Sequence, residues 1–235
     1  MKMNLFHQKL LLPTEILEKI LGEIQNLLKE NACEAQAQKM SAYMKGHFAF
    51  AGIPRPKLLK LAAPIFKASA KNPLDWNLVF DLWQEDFREA QYIALEYIGR
   101  HHKELVSSDI DNLKSLIVEK SWWETADTID GFVGELVLKD ESLKTTMLEW
   151  ASDRNLWLRR VAIDFQQRYK DLTDVPLLEK IICLNFGSGE FFIDKAIGWS
   201  LRDYSKVNPD WVHSFLERYS EKLAPLSIRE AGKYL

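Results

Sequence analysis

The stretch NLWLRRVAIDF, residues 155–165, shows the pattern that decides the fold. Its apolar residues Leu158, Val161 and Phe165 recur at three- and four-residue spacing, which places them on one face of an α-helix. The same spacing continues through almost the whole chain, and convincing two-residue alternation is absent. The sequence therefore predicts an all-α fold.

An alanine marks the same position of this pattern in four successive segments. These alanines are Ala90, Ala126, Ala162 and Ala196, at spacings of 36, 36 and 34 residues. Shorter amphipathic segments fall between them, near 74–84, 109–118, 140–151, 174–184 and 208–218. Two helices per repeat of this length predict a HEAT-like α-solenoid, in which each repeat buries its apolar face against its neighbours. We expect one domain over residues 1–235, with an extended concave surface.

Residues that favour the starts of helices divide the chain further. Thr14 is expected to cap a helix that reaches Leu28, and Pro56 lies in the first turn of a helix expected to reach Phe66. Asn72-Pro73 is expected to open the next helix. Three further residues each precede a strongly amphipathic segment: Ser121, Asn155 and Ser188.

The composition is that of an ordinary soluble globular protein, with 47% hydrophobic and 28% charged residues. The two cysteines, Cys33 and Cys183, and the five histidines lack metal-ligand spacing. No apolar run approaches the roughly 20 residues that span a bilayer, and the N-terminus is too short and polar for a signal peptide. We expect a cytoplasmic protein without a metal or a cofactor.

The net charge of −3 does not indicate a nucleic-acid binder, but the charge is unevenly distributed. Residues 1–70 carry a net charge of +5, residues 71–153 carry −10, and residues 154–235 carry +2. A polyanion would therefore be held by the two ends of the chain, with the acidic residues of the middle turned elsewhere. This pattern permits DNA binding without requiring it.

The segment 121–134 holds an aromatic residue beside a carboxylate at helical spacing. Trp122 is expected on a core-facing stripe, whereas Trp123 and Asp127 are four residues apart on the adjacent line. Gly131 and Gly134 continue that line, and each costs about 1 kcal/mol relative to alanine within a helix. The arrangement suits a site for a cationic aromatic ligand. The alternative is that the glycines simply admit a neighbouring helix and the tryptophans pack in the core.

Arg160 is expected on the polar side of its helix, four residues before Asp164. An exposed ion pair at this spacing contributes only a few tenths of a kcal/mol. The functional alternative is a phosphate clamp, because a planar guanidinium matches phosphate geometry. Trp199 allows two interpretations as well: core packing is the default, and Gly198 beside it gives slight support to a surface approached from outside.

Several of these segments resemble the AlkD family of alkylpurine DNA glycosylases. The most specific is EFFIDKAIGW, residues 190–199, followed by SWWETAD at 121–127 and WLRRVA at 157–162. YMKGHF at 43–48 and LAPLSIREA at 223–231 are similar to the same family. The resemblance runs from about residue 36 to the end of the chain.

This resemblance implies a HEAT-like solenoid whose concave face binds duplex DNA. Trp123, Asp127 and Trp199 match the catalytic cleft of the family, with Asp127 stabilising an oxocarbenium-like transition state and positioning water. The two tryptophans would pack against the deoxyribose and backbone and offer π faces to the cation. Further residues in or beside the resembling segments are expected to contact DNA: Arg160, Tyr43, Lys45, Arg159 and Arg202.

The resemblance further implies an enzyme that removes cationic N3- or N7-alkylated purines, and a monomer would suit an open cleft. Two alternatives stay open: a non-catalytic solenoid that binds nucleic acid, and a scaffold that binds a protein partner.

Overall fold

The computed structural model describes residues 13–68 and 72–235, and within these residues the chain forms α-helices, short 3₁₀ turns and no strand. The predicted all-α class is confirmed. The thirteen α-helices of the described residues are α1 Thr14–Glu30, α2 Glu34–Tyr43, α3 Arg55–Ala68, α4 Trp76–Gln84, α5 Arg88–Arg100, α6 Ile110–Val118, α7 Trp123–Lys139, α8 Lys144–Ala151, α9 Leu156–Asp164, α10 Val175–Leu184, α11 Phe191–Ser205, α12 Pro209–Arg218 and α13 Pro225–Ala231. None of the described helices is long and apolar enough to cross a membrane.

The helices fall into two compact units, divided after Leu105. Helices α1–α5 belong to the N-terminal unit and α6–α13 to the C-terminal unit. The single domain expected over residues 1–235 therefore stays a prediction. The cytoplasmic location stays a prediction as well.

The predicted repeat register is confirmed by burial. Ala90, Ala126, Ala162 and Ala196 lie on α5, α7, α9 and α11, and each is at most 2% exposed. Helices α4, α6, α8, α10 and α12 lie at the five further positions that the sequence predicts, three of them between the register helices and one at either end. A small side chain at each register position lets neighbouring helices approach closely.

Some helices begin at residues other than those that the sequence predicts. Thr14 is the first residue of α1, which runs two residues past Leu28, and Thr14 provides no cap. The start predicted at Asn72-Pro73 is wrong, because the Asp75 side chain accepts a hydrogen bond from the Asn77 N–H at 2.8 Å and α4 begins after it. Of the three further starts, Asn155 is confirmed as a cap of α9. Ser121 and Ser188 lie two and three residues before α7 and α11.

A buried carboxylate holds the loop that follows α2 in the N-terminal unit. Glu89, fully buried, accepts hydrogen bonds from the backbone N–H groups of Ala51, Gly52 and Ile53 at 3.0, 2.8 and 3.0 Å. Gly52 has φ +90°, and a Cβ there would collide with the backbone carbonyl of Cys33. Only glycine fits this position.

In the C-terminal unit, glycines admit other segments of the same chain. A Cβ at Gly134 would collide with the carbonyl oxygen of Phe165, and one at Gly198 would lie 2.6 Å from the Cβ of Glu230. Gly198 is therefore approached by α13, so this glycine gives no support to a surface approached from outside. The packing alternative is confirmed for Gly134 as well. These contacts fix α7 against the end of α9, and α11 against α13.

A candidate active site around Asp127 and Arg160

Helix α7 presents the predicted pair at its N-terminal end. Trp123 is its first residue and Asp127 lies one turn later; both are partly exposed, with 22% of the Asp127 side chain accessible. Trp122 was expected in the core-facing stripe, but it precedes the helix with extended backbone angles. Its ring packs instead against Trp157 and Phe192, with centroids 5.7 and 5.3 Å apart.

Arg160 is buried rather than exposed. Only 2% of its side chain is accessible, because α7 and α11 both pack against α9. Its Nε and Nη2 donate to the two carboxylate oxygens of Asp127 at 2.6 and 2.8 Å, and its Nη1 donates to the Phe192 carbonyl at 2.6 Å. The predicted exposed position is wrong. The phosphate clamp that required this exposure is contradicted, since the guanidinium is directed at protein acceptors.

Two further carboxylates surround this ion pair. Asp130 and Asp164 are 4% and 1% exposed, and their carboxylate oxygens lie with that of Asp127 within 4.8 Å of one another. The Asp164 Oδ2 lies 3.8 Å from the Arg160 Nη2. Three oxygens this close are an arrangement that divalent cations use, but here Arg160 supplies the positive charge.

The crowding of carboxylates alters proton affinities. Burial, followed by the charges of Asp164 and Asp127, raises the pKa of Asp130 well above its ordinary value. Burial also raises the pKa of Asp164 to about 7, although Arg160 opposes this shift. Burial lowers the pKa of Arg160, but the neighbouring carboxylates outweigh this effect and raise it on balance. The guanidinium therefore stays charged, and the two buried carboxylates bind a proton more readily than a free carboxylate does.

Trp199 lies beside the Arg160 guanidinium and two further basic side chains. Its ring centre is 5.7 Å from the Arg160 guanidinium, 5.4 Å from the Lys195 Nζ and 5.5 Å from the Arg202 guanidinium. The Nε1 of Trp199 is buried and has no hydrogen-bond partner among the described residues. Asp127, Arg160 and Trp199 are thus brought together, with Trp123 one helical turn from Asp127.

A carboxylate on α13 collects the basic side chains beside Trp199. Glu230 accepts hydrogen bonds from Lys195, Arg202 and Lys233 at 2.8, 3.2 and 2.7 Å. The bonds from the two lysines are the largest causes that lower the pKa of Glu230 to about 2. Arg202 is therefore half-buried and paired, and its predicted DNA contact stays a prediction.

The remaining predicted DNA contacts are placed but not tested. Arg159 is half-buried, and its Nε donates to the Asn185 side chain at 2.8 Å. Tyr43 is 70% exposed, and Lys45 is exposed with φ +55°. Both belong to the N-terminal unit. These contacts stay predictions.

Comparison with known proteins identifies the family. Residues 24–235 match the family described as DNA alkylation repair enzyme. The chain belongs to this family. A predicted DNA alkylation repair enzyme from Enterococcus faecalis is 36% identical, with a TM-score of 0.80 over 87% of this chain and 96% of that chain. No protein of curated function matches significantly.

Two structures from Streptococcus mutans share the fold at lower identity. The protein smu.31 from strain UA159 is 16% identical, with a TM-score of 0.59 over 92% of this chain and 99% of that chain. AlkD2 is 18% identical, with a TM-score of 0.56 over 68% of this chain and 80% of that chain. These likenesses confirm the HEAT-like helical fold of the AlkD type.

Sequence reasoning missed Asp130 and Asp164 as members of the site. Both carried a usable signal: Asp130 lies three residues after Asp127, and Asp164 lies four after Arg160, so each shares a helix face with its neighbour. The missing information was that these two faces meet.

Proposed function

We propose that this protein is a DNA glycosylase that hydrolyses the N-glycosidic bond of cationic alkylated purines in duplex DNA. N3-alkyladenine and N7-alkylguanine are the proposed substrates, and the protein is proposed to act as a monomer. The observation that carries the proposal is the partly exposed carboxylate of Asp127, held by two N–H donors, at Nε and Nη2, of a buried guanidinium. Membership of a DNA alkylation repair family supports DNA as the substrate.

Asp127 is the proposed catalytic residue. The purine cation leaves C1′ with the electron pair of the glycosidic bond and becomes neutral, while positive charge develops on the deoxyribose. The Asp127 carboxylate stabilises this charge and orients a water molecule toward C1′. The water oxygen bonds to C1′ and its proton passes to Asp127 and then to solvent. The alkylation itself activates the leaving group, so no separate acid is required.

Arg160 acts as a positioning residue in this scheme. Its two bonds to Asp127 fix the plane of the carboxylate, and its third bond anchors it to the start of α11 at Phe192. A fixed carboxylate stabilises developing charge without reorganising during the reaction. The partial exposure of Asp127 leaves room for a ligand on its solvent side.

The tryptophans are proposed to position the sugar and backbone of the lesion. Trp199 already has Arg160, Lys195 and Arg202 within 5.7 Å of its ring centre. This cationic surrounding favours the deoxyribose and an anionic phosphate beside Trp199 over a purine cation. Trp123 shares a helix face with Asp127 and is the better candidate for the cation–π contact.

Incubation of the protein with duplex DNA containing 7-methylguanine tests the proposal. Alkali-labile breaks at the lesion are expected with wild type and with Asp111→Asn, an exposed aspartate changed as a matched control. Asp127→Asn is expected to reduce the rate by about 100-fold or more. Salt-sensitive DNA binding without breaks would instead favour the non-catalytic binding protein.

A further inference from the structure

The Asp127 site contains more negative charge than the proposed chemistry uses. Among the described residues, three carboxylates lie within 4.8 Å of one another, and one guanidinium, that of Arg160, donates hydrogen bonds to one of them. Asp164 and Asp130 are almost fully buried, so neither is placed to touch a substrate. Each of these two carboxylates has one buried oxygen that accepts no hydrogen bond from the described residues, which is costly.

Asp164 is directed at the same guanidinium as Asp127. The Arg160 Nη2 is 2.8 Å from the Asp127 Oδ2 and 3.8 Å from the Asp164 Oδ2. The Asp164 Oδ2 is buried and accepts no hydrogen bond from the described residues, whereas its Oδ1 accepts one from the Gln167 Nε2 at 2.6 Å. Either a proton on Oδ2 or a shift of about 1 Å in the guanidinium satisfies this oxygen.

The charged groups around Asp164 come from each side of the cluster. Helix α7 supplies Asp127 and Asp130, and α9 supplies Arg160. The turn after α9 supplies Arg168, whose Nη2 lies 3.7 Å from the Asp130 Oδ1, with 72% of its side chain exposed. The basic residues of α11, Lys195 and Arg202, are bound to Glu230.

We infer that Asp164 sets the net charge of the active site and is a positioning residue for Asp127. When Asp164 is ionised, it draws the Arg160 guanidinium toward itself. Arg160 then offsets less of the negative charge on Asp127, and Asp127 attracts a cationic substrate more strongly. This inference rests on the proposed function, because it assigns Asp164 a part in discriminating charged from neutral ligands at that site.

The charge of the cluster then depends on pH near neutrality. Burial raises the pKa of Asp164 to about 7. Below this pH Asp164 is neutral, and the Asp127–Arg160 pair carries no net charge. Above it these three groups together carry one negative charge. Burial, followed by the charges of Asp164 and Asp127, raises the pKa of Asp130 well above its ordinary value.

Binding to two abasic-site analogues in duplex DNA tests this inference without requiring turnover. One duplex carries a pyrrolidine residue, whose ring nitrogen stays protonated, and the other carries the neutral tetrahydrofuran residue. The ratio of their Kd values measures preference for positive charge. In wild type this preference is expected to rise by roughly tenfold from about pH 6 to about pH 8, as one charge appears within about 10 Å.

The variants separate the contribution of Asp164 from its neighbours. In Asp164→Asn the preference is expected to stay flat with pH. Asp130→Asn, the same change in the same cluster, is expected to keep the rise. Gln167→Leu removes the hydrogen bond that lowers the pKa of Asp164, so the midpoint of the rise is expected at higher pH. Gln167→Leu tests the inference even where Asp164→Asn does not fold.

The outcomes distinguish this inference from the proposed function. A preference for the pyrrolidine duplex that is independent of pH in wild type overturns the role of Asp164 and leaves the proposed function standing. A preference for the pyrrolidine duplex that still rises with pH in Asp164→Asn also overturns the role of Asp164 and leaves the proposed function standing. Equal binding of the two duplexes at every pH, with wild type and Asp127→Asn alike, counts against the glycosylase site itself.

Discussion

Two ionic clusters in the C-terminal unit differ in charge balance: the first has more acidic than basic side chains, and the second has more basic than acidic ones. In the first, the carboxylates of Asp127, Asp130 and Asp164 surround the guanidinium of Arg160. In the second, one carboxylate, that of Glu230, collects the basic side chains of Lys195, Arg202 and Lys233. Burial raises the pKa values of Asp130 and Asp164 in the first cluster, and the charge of Asp127 adds to both shifts, whereas hydrogen bonds from lysines lower the pKa of Glu230 in the second.

The two clusters meet at Trp199. Arg160 belongs to the first cluster, Lys195 and Arg202 to the second, and all three lie within 5.7 Å of the Trp199 ring centre. The site is therefore acidic on the side of Asp127 and basic on the side of Glu230. A nucleotide with a cationic base and an anionic phosphate has the complementary polarity, which is the physical basis for the proposed substrate.

Removing the guanidinium should break the first cluster with the largest effect. Arg160→Leu leaves the half-buried Asp127 and the buried Asp164 without their cation, so we expect a loss of about 3–5 kcal/mol in the free energy of unfolding. Denaturant unfolding at neutral pH measures this loss. Arg160→Lys keeps the charge without the paired geometry, and it is expected to recover part of the stability while excision stays low. Equal stability of Arg160→Leu and wild type would contradict the account.

Replacing Asp164 should stabilise the protein at alkaline pH. Its pKa is raised by burial to about 7 in the folded state, against about 3.9 in the unfolded chain, so the folded state retains the proton longer. The stability of wild type should therefore fall as pH rises from about 4 to about 7. Asp164→Asn avoids this loss, and we expect its stability relative to wild type to rise by up to about 4 kcal/mol between about pH 4 and about pH 8.

Denaturant unfolding of both proteins across this pH range checks the difference. An advantage of Asp164→Asn that grows toward acidic pH would mean that the sign is wrong.

The contribution of the second cluster to the free energy of unfolding should change with pH in the opposite direction. The pKa of Glu230 is lowered to about 2, so its contribution to stability is present above about pH 4.5 and is lost as pH falls toward 2. Glu230→Gln is expected to cost about 1 kcal/mol at neutral pH, a value reduced because the surrounding lysines are partly exposed and screened. Thermal unfolding at about pH 7 and about pH 3 should show a smaller cost at the lower pH.

The smallest expected effect is on DNA affinity, and it comes from replacing a basic side chain of the second cluster. Arg202→Gln is expected to weaken binding of undamaged duplex by about threefold and to reduce the salt dependence by up to about one ion. Lys180→Gln, an exposed lysine on α10, is the matched control. Identical salt dependence for Arg202→Gln and wild type would show that Glu230 holds Arg202 away from DNA.

Local sequence pattern was sufficient for the fold. The apolar period and the alanines at 90, 126, 162 and 196 depend on contacts between neighbouring helices, and these repeat along the chain. Helix starts were less predictable where two caps compete. At α4 the side chain of Asp75 caps the helix, rather than Asn72-Pro73.

The arrangement of the site was only partly predictable. Trp123 and Asp127 share one helix, so spacing alone places them together. The burial of Arg160 arises because α7 and α11 cover α9, which is a long-range packing effect that periodicity does not contain. For the same reason Asp164 resembled half of an exposed pair in sequence, although it is 1% exposed in the structure.

The most direct test of the central claim is to identify the product released from duplex DNA containing 7-methylguanine. Mass spectrometry of a single-turnover reaction should detect free 7-methylguanine in solution and an abasic strand of unchanged length. Release by wild type should exceed that by Asp127→Asn by about 100-fold. Repaired guanine within an intact strand, or equal release by the two proteins, would contradict the assignment of Asp127 as the catalytic carboxylate.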